Sequence, residues 1–86
     1  MTADVSLLTF PCDLPIKVLG KNAPAFRDTA IGIVRSHYGD AHSVAEQVSR
    51  QGAYLSLTIT VRAETREEVD AVYHDLVADP LILMVL

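Results

Sequence analysis

From Tyr54 to Ala63 the chain alternates without a slip. Leu55, Leu57, Ile59, Val61 and Ala63 are apolar, and Tyr54, Ser56, Thr58, Thr60 and Arg62 stand between them. A period of two puts successive side chains on opposite faces of a strand, so this run demands a sheet with one face in a core and the other in water. Such a sheet needs an apolar cover, and two further stretches supply it. Phe26, Ala30, Ile33 and Val34 fall on one stripe of a helix opened by Asn22-Ala23-Pro24 and closed by Gly39-Asp40. Asn22 is the expected cap and Pro24 suits the first turn. Val69, Val72, Tyr73 and Leu76 form a second stripe. It starts at the capping box Thr65-Arg66-Glu67-Glu68 and stops at Asp79-Pro80.

Three shorter runs complete the pattern. Pro15 to Leu19 reads as a strand ended by Gly20, with Pro at the strand start where its missing N–H costs least. Ser43 to Ser49 alternates loosely before a turn at Gln51-Gly52 and makes a hairpin with the strand that follows. Leu81 to Leu86 is apolar throughout and reads as a last strand, far too short to span a bilayer, which takes about 20 helical residues. The order is βαββαβ. An α+β, ferredoxin-like plait follows: a four-stranded antiparallel sheet in the order 4-1-3-2, with two helices on one face. Residues 1–12 read as a tail, of which Leu7, Leu8 and Phe10 can fold back, and 13–86 as a single domain.

Composition narrows the partners. The net charge of −4 argues against nucleic acid and against an anionic membrane surface. The open sheet face offers Lys17 and one tyrosine, Tyr54, which is too little aromatic surface to stack RNA bases. No basic, apolar leader opens the chain, and the expected location is cytoplasmic. The one cysteine, Cys12, excludes an internal disulfide framework and a Cys-x-x-Cys metal site. His37, His42 and His74 lie on separate segments, so surface histidines are expected and no metal or cofactor. Acylphosphatase-like chemistry needs an Arg in the turn after the first strand and an Asn on the third. Gly20-Lys21-Asn22-Ala23 has no Arg, and Asn22 is the chain's one Asn. No nucleophile elbow appears. The expectation is a protein that is not an enzyme. The alternative is a small enzyme whose groups converge only in space, drawn from Cys12, the three histidines, Asp13 and Tyr54.

Two features remain as candidate sites. Gly20, Lys21 and Asn22 lie between the first strand and the first helix, where free N–H groups and the Lys21 charge suit a carboxylate ligand; the same residues also make an ordinary capped turn. Leu81, Leu83 and Val85 make the outer side of an all-apolar edge strand, which invites pairing with another chain unless Leu8 and Phe10 cover it.

Phe10-Pro11-Cys12-Asp13-Leu14-Pro15-Ile16-Lys17-Val18-Leu19-Gly20, Ser49-Arg50-Gln51-Gly52-Ala53-Tyr54-Leu55-Ser56-Leu57-Thr58-Ile59-Thr60 and the ending Met84-Val85-Leu86 together resemble the YbeD-like family of small bacterial proteins. The resemblance covers nearly the whole chain after the tail. It implies a cytosolic protein with the fold of ACT regulatory domains, the amino-acid-sensing modules of metabolic enzymes. Some members carry the label lipoate regulatory protein. In ACT domains the effector sits beside the turn after the first strand, at a seam between two domains. That turn corresponds here to Gly20, Lys21 and Asn22, although an ACT turn usually has Asp or Asn before a Pro-Gly-like pair. The resemblance therefore implies a regulatory or interaction module that binds a small metabolite or a partner protein and can form a homodimer.

Overall fold

The computed structural model describes residues 9–40 and 42–86. β1 spans Cys12–Lys21, α1 Pro24–Tyr38, β2 His42–Val48, β3 Tyr54–Ala63, α2 Arg66–Ala78 and β4 Met84–Val85. The strands form one antiparallel sheet in the order β2-β3-β1-β4. The βαββαβ plait expected from the hydrophobic periods is the fold.

The alternation in β3 organises the core. Leu55, Leu57, Ile59, Val61 and Ala63 are all buried. β1 lies beside them with Val18 opposite Leu57, Ile16 opposite Ile59 and Leu14 opposite Val61. Phe26, Ala30 and Val34 of α1 and Val69, Val72 and Leu76 of α2 close over this surface, while Ile33 sits at its margin. On the other face Thr58 lies opposite Lys17, and Ser56 opposite Leu19. Thr65 caps α2, its hydroxyl accepting from the Glu68 N–H at 3.2 Å. Glu68 reaches back one residue further than a standard capping box, accepting from the Glu64 N–H.

Two strands differ in length from expectation. β1 begins three residues early, so Pro15 lies inside it. The N–H groups of Leu83 and Leu86 donate to the carbonyls of Leu19 and Lys17, so the odd residues of β1 turn their backbone groups toward β4. β4 pairs only with Val18 and Leu19. The absent N–H of Pro15 therefore points to a side of β1 where no described strand pairs, and it costs no ladder bond there. β4 itself is two residues, not the whole run from Leu81 to Leu86. The Asp79 carboxylate accepts from the Leu81 N–H, and the Asp79 carbonyl accepts from the Ile82 N–H. These bonds hold the chain in a turn until Leu83, where pairing with β1 begins.

A candidate binding cleft between the β1–α1 turn and the approach to β4

The three turn residues have three different roles. Gly20 is buried, and a Cβ there would stand 2.2 Å from Cδ1 of Phe26. Its missing side chain makes room for the Phe26 ring. Asn22 does not cap α1: the cap position is Ala23, with no side-chain hydrogen bond. Asn22 instead straps the turn to the β2–β3 hairpin. Its Nδ2 donates to the Gly52 carbonyl and its backbone N–H to the Ala53 carbonyl, both at 3.0 Å. With its amide engaged by the hairpin, it is not available to the first turn of α1. Lys21 is exposed and lines a cleft of about 290 Å³ with Phe26, Pro80, Leu81 and Leu83.

This cleft joins the two features that stood apart in the sequence. Lys21 comes from the turn after β1; Leu81 and Leu83 come from the segment entering β4. Leu81 is 43% exposed and Leu83 53%. Val85, expected on the outer side with them, is 6% exposed because it pairs with buried Val18 and takes the same phase. Met84, 47% exposed, takes the outer side in its place. A run of uniform apolarity carries no phase, so only pairing with β1 could reveal which residues face out. Phe26 and Pro80, the cleft's other walls, gave no sequence signal beyond their structural roles.

Lys21 has no counter-ion among the described residues. Of the seven Lys and Arg residues, Arg27, Arg35, Arg62 and Arg66 pair with Glu46, Asp40, Asp13 and Asp70. Lys17, Lys21 and Arg50 form no ion pair among the described residues.

Among the described residues, the candidate reactive side chains stand apart except that two histidines share one carboxylate. Cys12 opens β1, partly buried against the core. His42 contacts the Gly39 carbonyl through Nδ1. His37 and His74 both meet Asp75, through a His37 Nε2 to Oδ2 distance of 2.7 Å and a His74 Nδ1 to Oδ1 distance of 3.5 Å. The His37 contact ties the end of α1 to α2, and both contacts hold the Asp75 carboxyl below its usual range. Asp13 pairs with Arg62, and Tyr54 lies on the open face at the hairpin. Among the described residues, Cys12 makes no hydrogen bond to a histidine, and no group of three metal-ligating side chains occurs. No described helix is long and apolar enough to cross a membrane. Phe10 packs on the core beyond the Cys12 end of β1, roughly 20 Å along the strand from the β4 pairing, so it does not cover β4. Leu7 and Leu8 lie outside the described residues.

Two buried hydroxyls, on Tyr38 and Tyr73, have no hydrogen-bond partner among the described residues. Burial first, and then the charge of Glu68, push the Tyr38 phenol up to about 12. The Glu68 carboxylate sits nearby, and one of its oxygens accepts from the Glu64 N–H. Because folding favours the neutral phenol, its contribution is intact below pH 10 and is lost as pH climbs from there to about 12. Tyr38→Phe removes an unsatisfied group and should be neutral or slightly stabilising at pH 7. Thermal melts at pH 9 and 11.5 should show a smaller drop for Tyr38→Phe than for wild type; equal drops would show that Tyr38 does not feel its burial.

Comparison with known proteins agrees with the motifs. A family model described as a protein of unknown function, DUF493, matches residues 5–86. A UPF0250 protein of Paraburkholderia phymatum is 45% identical over 83 residues, covering 94% of this chain and 93% of the relative. A UPF0250 protein of Paraburkholderia phytofirmans is 43% identical with the same coverage. One from Nitrosomonas europaea is 40% identical, covering 94% of this chain and 95% of the relative. With a family model over residues 5–86 and relatives 40–45% identical over most of their length, the chain belongs to the DUF493 family, the YbeD-like family that its motifs resemble.

Proposed function

We propose that this chain is a non-catalytic, ACT-like binding module of the cytosol, and that its ligand is a small carboxylate with an apolar body. The observation that carries this reading is the cleft itself. It is a hollow of about 290 Å³ lined by Lys21, which forms no ion pair among the described residues, and by Phe26, Leu81 and Leu83. A single cation suits a single carboxylate, and the wall suits an alkyl tail. The cleft adjoins the turn where the ACT resemblance puts an effector. A lipoate-like acyl acid has this chemistry, in keeping with the label that some YbeD-like proteins carry.

Octanoate, with octanol as its uncharged counterpart, tests the reading by NMR titration of amide shifts. Octanoate should give saturable shifts at Lys21, Leu81 and Leu83, and octanol markedly weaker ones. Lys21→Gln should weaken octanoate roughly threefold to fivefold, the scale of one exposed charge contact. Non-saturating shifts, or equal response to both probes, would reject the carboxylate site.

The exposed apolar set favours a second reading as well. Leu81, Leu83 and Met84 stand side by side at the β4 edge, which supports a partner protein or a second copy docking there. Sedimentation equilibrium should then show a dimer that Leu83→Asp dissociates. A monomer at every concentration tested would remove the second copy and leave the edge to a different partner protein.

A further inference from the structure

The open face of the sheet carries a second hollow, of about 340 Å³, lined by Lys17, Leu19, Arg50, Tyr54, Ser56 and Leu86 among others. Its charge is unusual for this chain. In a protein of net charge −4, no described Asp or Glu lines it, and it holds two of the three Lys and Arg residues that form no ion pair among the described residues. The elements that build it explain the placement. Lys17 and Leu19 point outward from β1 by strand alternation, and Ser56 lies across from Leu19 on β3. Arg50 comes from the β2–β3 hairpin. That hairpin is held by the Ser49 hydroxyl, which accepts from the Tyr54 N–H, and by Asn22, which donates to the Gly52 carbonyl. Leu86 closes the hollow, its N–H bonded to the Lys17 carbonyl. The result is a cationic rim, an exposed aromatic ring and an aliphatic floor on a rigid sheet.

We infer that this face binds a small phosphate monoester with an apolar or aromatic body. Two cations match a phosphate dianion better than a monocarboxylate, and the guanidinium of Arg50 offers a planar fork to its oxygens. The hydroxyl of Ser56 adds a neutral donor. Tyr54, Leu19 and Leu86 receive the rest of the molecule, so neither half of the ligand suffices alone. This site is separate from the Lys21 cleft and does not depend on it.

Phenyl phosphate tests the inference, with phenol and inorganic phosphate as its two halves, in NMR titrations of the full chain. Phenyl phosphate should shift the amides of Lys17, Leu19, Arg50, Tyr54 and Ser56 saturably, with half-saturation near about 1 mM, as befits a shallow site. Each half alone should bind about tenfold more weakly. Lys17→Gln and Arg50→Gln should each weaken phenyl phosphate roughly threefold to fivefold, and raised salt should do the same. Both residues are exposed, so a well-dispersed amide spectrum will show that the variants remain folded. Arg62→Gln, on the same face but paired with Asp13, should leave binding unchanged. Non-saturating shifts, shifts confined to Lys21, Leu81 and Leu83, or indifference to both glutamine variants would overturn the inference. So would tighter binding of a short oligouridylate at the same amides, since that would make the face a nucleic-acid surface.

Discussion

Leu57→Asp should leave the chain unfolded at 25 °C. Leu57 is 0% exposed in β3, which has a strand on each side and both helices above it. The substitution discards a buried leucine, worth about 2–5 kcal/mol, and places a carboxyl opposite Val18 in a core that holds no described charged residue. An 86-residue domain has roughly 4–13 kcal/mol of stability in all. Adding the cost of an unpaired buried carboxyl exhausts the lower part of that range. The neighbouring substitution Thr58→Asp supplies the contrast. Thr58 faces outward opposite Lys17, so a carboxylate there meets water and a cation, and a change within about 0.5 kcal/mol is expected. Circular dichroism melts of the pair decide the matter. If Thr58→Asp is as damaging as Leu57→Asp, the outer face is not solvated.

Gly20→Ala is the second severe change, and it arises from a contact that no periodicity reveals. The new methyl would stand 2.2 to 2.5 Å from three atoms of the Phe26 ring, which is 1% exposed. Overpacking of this kind costs about 1–3 kcal/mol and sometimes more, so a fall in melting temperature of roughly 5–20 °C is expected. Phe26→Leu should be costly alone, through the space it opens. Combined with Gly20→Ala it should be less destabilising than the sum of the two, because the smaller side chain yields the space that the methyl needs. Strict additivity in the double-mutant cycle would show that Gly20 matters for another reason.

How much of this was legible beforehand depended on whether a local signal existed. The alternation from Tyr54 to Ala63 and the stripes of α1 and α2 encode burial through a period, and they lead to the plait without further help. Thr65 capped its helix as read, since a hydroxyl ahead of a free first turn has few rivals. Asn22 had the same local credentials and went elsewhere, because the hairpin turn at Gly52 lies within reach in space and not in sequence. Leu81 to Leu86 is apolar at every position. Its phase was therefore set by pairing of Val85 with Val18, and its length by the hydrogen bonds of Asp79. The cleft could not be read at all as a single object. Lys21 was visible as a charge beside a turn and Leu83 as a greasy edge residue, and their meeting is a product of the β1–β4 neighbourhood.

The two hollows make separable demands: one cation and an alkyl wall at Lys21, two cations and an aromatic ring at Lys17 and Arg50. Intermolecular NOEs from bound octanoate to the isotope-labelled chain locate the ligand without recourse to variants. The binding-module account predicts contacts from the alkyl protons to the Leu81, Leu83 and Phe26 side chains, with the carboxyl end nearest Lys21. NOEs only to Tyr54, Leu19 and Leu86, or none at saturating octanoate, would contradict it.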